Sequence, residues 1–474
     1  MPPRPPRAAR RGRRDGRVPR LRFEHLHDGL QGGARRRALV DAYDDILRRG
    51  FDEYREFVNP LIAQRAALAG EPIKLVRAEG GILFDEQGHA VEDFHGTQAF
   101  GHRNPYIADA IRRYLDSDAP SWYPARVNPF AGRLARRLCE RAGFYDNAFF
   151  ACTGSDAVEA ALKLARALTK RPRLLGLEGA YHGCTFGSVS LMTKGYLRDP
   201  FAPFVEGAEH VPFGDIDALA RALAPGDVAA IVVEPIQGEG GVRELPPPFV
   251  EALCELTERH GTLLVADEVQ TALGRTGRGF LATAHWPRRP DVVLLAKHLG
   301  GGITPISAML TRRETFLRAY GDHFASGESH NTTMGFNALS CVAALAALDL
   351  LTDELIGRVA RLGEKLKNGL SETLTRSPLF REARGAGFMQ GVALSSPDHP
   401  WLSFEHFGYD GLGQKSIISP LVCHRLYRRG FFCFTCGHDW SLFRLQPRFD
   451  IPEEKLDAFV AAVAEELEYI EGLG

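Results

Sequence analysis

The chain has 474 residues, of which 45% are hydrophobic and 25% charged, and its formal net charge is −1. This length allows more than one domain and a large core, and this composition is that of an ordinary soluble globular protein. No stretch reaches the apolar length of a membrane-spanning helix, so we expect no membrane segment.

The N-terminus is strongly basic. Residues 1–22 hold nine arginines and one acidic residue, a net charge of +8, which leaves −9 for the rest. A Pro/Arg/Gly-rich segment cannot form a core, so we predict a disordered tail over residues 1–36. It has neither the apolar segment of a signal peptide nor the serines of a transit peptide. Nucleic-acid binding is an alternative, but we favour a tail without function, such as sequence upstream of a misassigned start codon.

Residues 37–105 are predicted to form an N-terminal segment that joins a small domain. Apolar residues at helical spacing predict a helix over residues 37–68. Two short strands around a glycine turn are predicted within residues 81–94.

Helices alternate with short, almost continuously apolar strands over residues 106–345. This alternation predicts an α/β domain whose mostly parallel sheet is covered on both faces. In such sheets, ligands bind at the carboxyl ends of the strands. The predicted strands are Ala148–Ala151, Arg173–Leu177, Val228–Glu234, Thr262–Asp267, Val292–Ala296 and Ser307–Leu310. The predicted helices include Asp156–Thr169 and Pro248–His260.

Residues 346–474 are predicted to form a smaller α+β unit. Two helices, Leu355–Thr375 and Lys455–Leu473, flank short strands. Prolines, glycines and aromatic residues over 395–416 predict a long loop that could act as a lid.

The eight cysteines are scattered along the chain, which suits a reducing cytoplasm and indicates a cytoplasmic protein. Cys433 and Cys436 form a lone CxxC pair with His424 and His438 nearby. A structural zinc site needs a second pair at suitable spacing, so we predict no metal site.

Lys297 ends the apolar run 291–297 and is followed by the glycine-rich segment 298–302. Because an ammonium group is costly to desolvate, a lysine held there tends to lose its proton or to bond covalently. A neutral amine is a nucleophile towards carbonyl groups. Taken alone, however, Lys297 is better explained as a side chain that reaches solvent.

Two further strand ends carry polar residues. The run Thr153-Gly154-Ser155-Asp156 opens a helix with free N–H groups and hydroxyls, which suits a phosphate as well as an ordinary helix cap. Asp267 ends a buried strand, where an ionised carboxylate needs a cation such as a protonated ring nitrogen. A helix cap would also explain this aspartate.

Other polar and aromatic residues follow the neighbouring strands. Tyr181 could stack on a planar ligand, and Gln270 could hydrogen-bond the same ligand as Asp267. Alone, Tyr181 is better explained as a core residue, and Glu234 and Glu239 as solvated loop carboxylates. A phosphate site, a partner for a ring nitrogen, a stacking aromatic residue and a lysine together describe pyridoxal 5′-phosphate.

From about Val76 to the C-terminus the chain resembles the class III (ω-) aminotransferases, which belong to fold type I of the pyridoxal-phosphate enzymes. The resemblance is carried by Leu-Val-Ala-Asp-Glu-Val-Gln-Thr at 264–271, Gly-Arg-Thr-Gly at 274–277 and Leu-Ala-Lys at 295–297. It implies that residues 106–345 form the large cofactor-binding domain.

The resemblance implies roles for individual residues. Lys297 would form the Schiff base with the cofactor and then move a proton between carbon atoms. Asp267 would pair with the pyridinium nitrogen, and Gln270 would lie near the 3-oxygen. Tyr181 would stack on the ring, and His182 completes that motif.

It also implies how the cofactor phosphate is held. Thr153, Gly154 and Ser155 would bind it through backbone and hydroxyl groups. Thr333 would reach the phosphate bound to the neighbouring subunit. The resemblance therefore implies a homodimer with active sites at the subunit interface.

Glu234 and Glu239 match the two glutamates of the family's Glu-Pro-Ile-Gln-Gly-Glu-Gly-Gly segment. Arg444 matches the arginine that receives the substrate carboxylate, a task that suits its bidentate guanidinium group. In some members the counterpart of Glu239 covers this arginine when the amine carries no carboxylate. The resemblance therefore implies one site for both half-reactions.

The chain departs from the family at several positions. Thr153-Gly154-Ser155-Asp156-Ala157 replaces the usual Ser-Gly-Thr-Glu-Ala, and His298 replaces a small residue. Gly335-Phe336-Asn337-Ala338 replaces Gly-Gly-Asn-Pro. The part before Val76 is longer than usual, and 395–416 is atypical. We expect most of these departures to lie around the substrate entrance.

The expected reaction is pyridoxal-phosphate-dependent transamination between an amino acid or terminal amine and a 2-oxo acid, aldehyde or ketone. An aminomutase or racemase of the same family is an alternative that needs no second substrate. A nucleic-acid-associated protein acting through the arginine tail is a less favoured alternative. A nicotinamide dehydrogenase is not favoured, because no GxGxxG joins a strand to a helix.

Overall fold

A computed structural model of the chain describes residues 32–62, 64, 66, 74–124, 127–321, 328–395 and 416–472. Most of the predicted tail and loop, residues 1–31 and 396–415, lie outside the described residues. Within them, no helix is both long enough and apolar enough to cross a bilayer.

The first compact unit, residues 1–60, contains helix α1 (Gly32–Phe57). The helix begins inside the segment that the sequence assigns to the tail and ends at Phe57, before the predicted end at residue 68, although residues 62, 64 and 66 are again helical. Pro60 accounts for the early end, because a proline has no N–H and disfavours helical geometry in the residue before it.

Three short strands open the second compact unit, residues 61–474. They are β1 (Leu75–Glu79), β2 (Ile82–Asp85) and β3 (Ala90–Asp93), and they pair antiparallel in chain order. The β2–β3 turn contains Gly88, whose φ of 80° suits glycine. The sequence predicts only two strands in this region.

A seven-stranded sheet forms the centre of this unit. In spatial order its strands are β4 (Asn147–Ala151), β12 (Ser307–Thr311), β11 (Val292–Leu295), β10 (Leu263–Asp267), β7 (Val228–Val233), β5 (Arg173–Leu177) and β6 (Ala208–Val211). β12 is antiparallel to both neighbours, and the other strands are parallel. The predicted α/β class with a mostly parallel sheet is confirmed.

Helices cover both faces of the sheet. In the described residues between 105 and 374, the α-helices are α2 (Pro105–Leu115), α3 (Pro129–Ala142), α4 (Gly154–Thr169), α5 (Phe186–Ser190), α6 (Ile216–Leu223), α7 (Pro247–His260), α8 (Arg313–Tyr320), α9 (Ala338–Leu350) and α10 (Asp353–Leu374). Val232 packs in the core with α4, whereas Ile231 packs in the core with α6 and α7. This two-sided burial explains why β7 is continuously apolar.

The remaining elements lie mainly in the C-terminal part. They are β8 (Ile236–Gln237), β9 (Arg243–Glu244), β13 (Phe380–Ala386), β14 (Met389–Leu394), α11 (Ile418–Arg428), β15 (Phe431–Phe432), β16 (Phe434–Thr435), β17 (Leu442–Leu445) and α12 (Glu453–Glu471). β15 pairs with β3, so the N- and C-terminal segments share a sheet. The domain boundaries after residues 105 and 345 stay predictions.

Candidate active site

Five parallel strands present polar residues at one edge of the central sheet. Asp267 is the last residue of β10, and Lys297 follows β11. The segments after β4, β5 and β7 supply Ser155, Tyr181 and Glu234. Because the carboxyl ends of parallel strands meet at the same edge, residues distant in sequence converge here.

A cavity of about 210 Å³ lies at this edge. It is lined by Gly154, Ser155, Tyr181, His182, Gly183, Glu234, Asp267, Val269, Gln270, Ala296 and Lys297. Most of the predicted cofactor-binding residues are in this set. Thr153 and Thr333 are not, and neither are the predicted substrate-binding residues Glu239 and Arg444.

The N-terminus of α4 forms one wall of the cavity. The Thr153 hydroxyl accepts a hydrogen bond from Asp156 N–H (3.2 Å), and the Asp156 carboxylate accepts one from Thr153 N–H (2.9 Å). Thr153 therefore caps the helix, whereas Gly154 and Ser155 line the cavity. A Cβ at Gly183 would collide with Ser155 Oγ, so glycine is needed there. The helix dipole and free N–H groups favour an anion such as phosphate.

Asp267 and His182 form a buried pair in the cavity wall. His182 Nδ1 lies 2.8 Å from Asp267 Oδ2, and Asp267 Oδ1 accepts a hydrogen bond from Val269 N–H at 3.1 Å. Burial alone would lower the pKa of His182, but the hydrogen bond and charge of Asp267 outweigh it, and the pKa is raised. The pair therefore fixes the orientation of the Asp267 carboxylate in the cavity wall, a position that suits a cationic group.

Lys297 adopts a strained backbone conformation beside the cavity. Its φ of 48° lies in the left-handed region, which costs a non-glycine residue about 1–3 kcal/mol and occurs often at functional sites. Burial lowers the pKa of its ammonium group, and the opposing charge of Glu239 does not offset this effect. The lowered pKa favours the neutral, nucleophilic amine.

Glu234 braces two loops around the cavity. Its Oε1 accepts a hydrogen bond from Tyr181 N–H (3.0 Å), and its Oε2 accepts one from Gly238 N–H (2.9 Å). Burial raises the pKa of this carboxyl to about 7, against the lowering charge of His182. Glu234 thus positions the backbone of Tyr181, whose side chain lines the cavity.

Glu239 and Arg444 form a largely buried ion pair in which Arg444 Nη1 donates to Glu239 Oε1. Burial alone would raise the pKa of Glu239, but the charge and hydrogen bond of Arg444, the charge of Lys297 and the hydrogen bond from Gly437 together outweigh it and lower the pKa to about 2. The guanidinium carbon lies 4.4 Å from the centroid of the Phe434 ring. The arginine is therefore neutralised by one neighbour and shielded by another.

Sequence reasoning did not identify several residues of this region. Val269 lines the cavity two positions after Asp267, and Gln446, two positions after Arg444, donates to Gln270 Oε1 at 3.2 Å. A spacing of two from Arg444 could have indicated Gln446, because such residues share one side of an extended chain, whereas Val269 lies in the turn after β10 and had no such signal. His95 had no such signal, and it stacks on Phe434 with 4.3 Å between ring centroids.

Thr333 does not line the cavity that contains Lys297. It lines a separate cavity with Trp122, Tyr123, Asn128, Phe336, Asn337 and Ala338. Its assignment to the cofactor phosphate of a neighbouring subunit stays a prediction.

His298, one of the departures from the family, lies in the core. The side chain is only 2% exposed and does not line the cavity. It packs edge-on against Phe449, with 5.7 Å between ring centroids, and burial lowers its pKa to about 3. This histidine is therefore a neutral core residue.

Residues 65–467 match the family described as aminotransferase class-III. The chain belongs to the class III aminotransferases. It is 37% identical over 479 residues to the aminotransferase PigE of Serratia sp. (strain ATCC 39006). That match covers 92% of this chain but only 56% of PigE, so the chain spans little more than half of this relative.

Solved structures of other aminotransferases have the same fold. The ornithine aminotransferase of Toxoplasma gondii ME49 superposes with a TM-score of 0.77 at 28% identity, covering 92% of this chain and 99% of that one. A further structure of the T. gondii enzyme has the same TM-score and identity, and the match covers 91% of this chain and 98% of that one. In that structure pyridoxal phosphate partially occupies the active site. The acetylornithine aminotransferase of Elizabethkingia anophelis superposes with a TM-score of 0.69 at 27% sequence identity. The match covers 86% of this chain and 99% of that one.

These findings confirm the predicted family, the fold type I architecture and pyridoxal phosphate as cofactor. Transamination is confirmed at the level of the family, and none of the relatives named above is described as an aminomutase or racemase. The cavity fits the cofactor: Gly154 and Ser155 suit its phosphate, Asp267 its ring nitrogen, and Lys297 its aldehyde.

The lowered pKa of Lys297 gives a testable pH dependence. Cofactor uptake needs the neutral amine, so its rate should level off well below pH 10.5, the ordinary lysine value. Stopped-flow absorbance of apoprotein mixed with pyridoxal phosphate measures this rate. A rate that still rises steadily to pH 10.5 would contradict the lowered pKa.

Proposed function

We propose that this chain moves an amino group from an amino acid or terminal amine to a 2-oxo acid, aldehyde or ketone. The proposal is supported mainly by the cavity that brings Lys297 and Asp267 together beside the N-terminus of α4. When bound there, pyridoxal phosphate supplies an electrophilic carbon and a ring that accepts electrons.

Each residue in the cavity has a distinct task in this proposal. The neutral amine of Lys297 takes a proton from the substrate carbon and returns it to a neighbouring carbon. Asp267, supported by His182, keeps a positive charge on the ring nitrogen. Gly154 and Ser155 hold the phosphate, so the cofactor keeps a fixed position relative to Lys297 and the substrate.

The Glu239–Arg444 pair is proposed to admit two kinds of substrate. A substrate carboxylate would take the place of Glu239 on Arg444 and gain a bidentate ion pair. A substrate without a carboxylate would leave the pair closed. Both half-reactions could then use the same cavity.

A panel of half-reactions tests the proposal. Purified holoprotein is mixed with single amines, and loss of the visible absorbance of the bound cofactor is followed. Transamination predicts that this absorbance disappears with an amine alone and returns when a 2-oxo acid is added. A protein that shows no such absorbance even after pyridoxal phosphate is added would overturn the proposal.

Arg444→Gln should raise the KM for 2-oxoglutarate about 10–100-fold, because hydrogen bonds to charged groups contribute ~1.5–3 kcal/mol. Steady-state kinetics with 2-oxoglutarate as variable substrate measures the change. The double variant Glu239→Gln/Arg444→Gln controls for the buried glutamate left unpaired. An unchanged KM in both variants would show that Arg444 does not bind the carboxylate.

We further propose a homodimer, supported by the position of Thr333 outside the lysine's cavity and by the exposed side chains of Trp122 and Met334. Light scattering should give about twice the chain mass of 52.2 kDa. Thr333→Ala should weaken cofactor binding about tenfold through loss of one hydrogen bond to a charged group. A monomer with full cofactor affinity would contradict this proposal.

A cytoplasmic location is also proposed. All eight cysteines are free thiols, which suits a reducing compartment.

A further inference from the structure

The carboxylate of Glu239 is held by more than its arginine. Its Oε1 receives Arg444 Nη1 and lies 3.4 Å from Gln270 Nε2. Its Oε2 accepts a hydrogen bond of 2.8 Å from Gly437 N–H. Both oxygens are therefore engaged, and release of Arg444 requires breaking more than one interaction.

Gly437 and Arg444 belong to one hairpin. Arg444 lies on β17, and Gly437 lies in the loop between β16 and β17. The next N–H of this loop, that of His438, donates to the backbone carbonyl of Glu239 at 3.0 Å. The loop therefore fixes both the backbone and the carboxylate of Glu239 against the arginine.

The loop has its own support. The Tyr196 hydroxyl donates a 2.9 Å hydrogen bond to the carbonyl oxygen of Gly437. Tyr196 comes from the segment after α5, remote in sequence from the hairpin. The Gly437 carbonyl shares its peptide unit with the His438 N–H, so the Tyr196 hydroxyl orients the peptide that binds the backbone of Glu239 and thereby supports the loop that carries the Gly437 N–H.

A side chain at position 437 would disturb this arrangement. A Cβ built there would lie 3.0 Å from Glu239 Oε2 and 3.6 Å from Leu197 Cδ1. The backbone of Gly437 is not in the left-handed region, so alanine causes no backbone strain. Gly437→Ala therefore acts on the carboxylate contact.

We propose that Gly437, braced by Tyr196, is a latch that holds Glu239 on Arg444 and sets how readily a carboxylate-bearing substrate binds. This inference rests on the proposed transamination. Gly437 and Tyr196 are positioning residues, because they act through Glu239. A weaker latch lowers the cost of opening the ion pair, so it favours substrates with a carboxylate over those without one.

The test measures binding of glutarate, a dicarboxylate with no reactive carbonyl, to the holoprotein by calorimetry. Tyr196→Phe should tighten glutarate binding about threefold, and Gly437→Ala about tenfold, from the usual contribution of neutral and charged hydrogen bonds. Tyr427→Phe is the matched control, because its hydroxyl bonds Asp85 instead. Arg444→Gln should abolish glutarate binding.

Kinetics separates a latch from a general structural role. In Tyr196→Phe and Gly437→Ala the KM for 2-oxoglutarate should fall while kcat stays unchanged. Damage to the fold would weaken glutarate binding and lower kcat instead. Unchanged or weaker glutarate binding in both variants would overturn the latch even where wild-type half-reactions proceed. Absence of any half-reaction in the wild type would instead refute the proposed function.

Discussion

Replacing Lys297 with alanine is expected to reduce the rate of transamination by more than about 10⁴-fold, because both the nucleophile and the proton-transfer group are lost. Pyridoxal phosphate should still bind, since Gly154, Ser155 and Asp267 line the same cavity. Single-turnover kinetics with an amine that reacts with the wild type measures the loss.

Two controls make this result specific. Lys163→Ala removes an amine whose Nζ donates to the Ser329 carbonyl oxygen outside the cavity, and it should leave the rate unchanged. The absorbance of cofactor bound to Lys297→Ala should match that of the free aldehyde, because no lysine amine bonds to it. Retention of more than about 1% of the wild-type rate would contradict the assigned role.

The chemistry of the site could largely be predicted because its functional residues lie at the ends of strands. Apolar strands buried on both faces are easy to find in a sequence, and the parallel arrangement then brings their carboxyl ends together. Asp267 and Lys297 are 30 positions apart in the chain, yet both lie at the ends of adjacent strands. No contact between them had to be known beforehand.

Other features depend on contacts that sequence patterns do not contain. Thr153 has the residue type of a phosphate ligand and of a helix cap, and only the geometry shows that Asp156 uses it as a cap. His298 follows Lys297 directly in the chain, yet it is buried in the core and does not line the cavity. The left-handed backbone at Lys297 sends adjacent side chains in directions that strand alternation does not predict.

Short edge strands were missed for a related reason. β6 contains Glu209 and His210, and it pairs only with β5 at the edge of the sheet. An edge strand carries polar residues that blunt further pairing, so it lacks the apolar run that identifies central strands. The latch residue Gly437 has no periodic signal either, because its function lies in its backbone N–H.

Replacing Asp267 with asparagine should have the second largest effect. A neutral amide cannot balance a positive ring nitrogen, and it also removes the carboxylate that raises the pKa of His182. Breaking a buried charge pair costs ~3–5 kcal/mol, so we expect kcat/KM to fall about 10²–10⁴-fold. Kinetics with one amine and one 2-oxo acid measures this change, and a fall of less than about tenfold would contradict the role of the carboxylate.

His182→Asn separates the charge of Asp267 from its orientation. This variant keeps the carboxylate but removes the imidazole that lies 2.8 Å from it. If the charge of Asp267 dominates, His182→Asn should lower kcat/KM about tenfold, as expected for loss of one hydrogen bond to a charged group. This fall should be far smaller than the fall caused by Asp267→Asn. Equal losses in the two variants would mean that a correctly oriented carboxylate, and not merely a negative charge, is what the ring nitrogen requires.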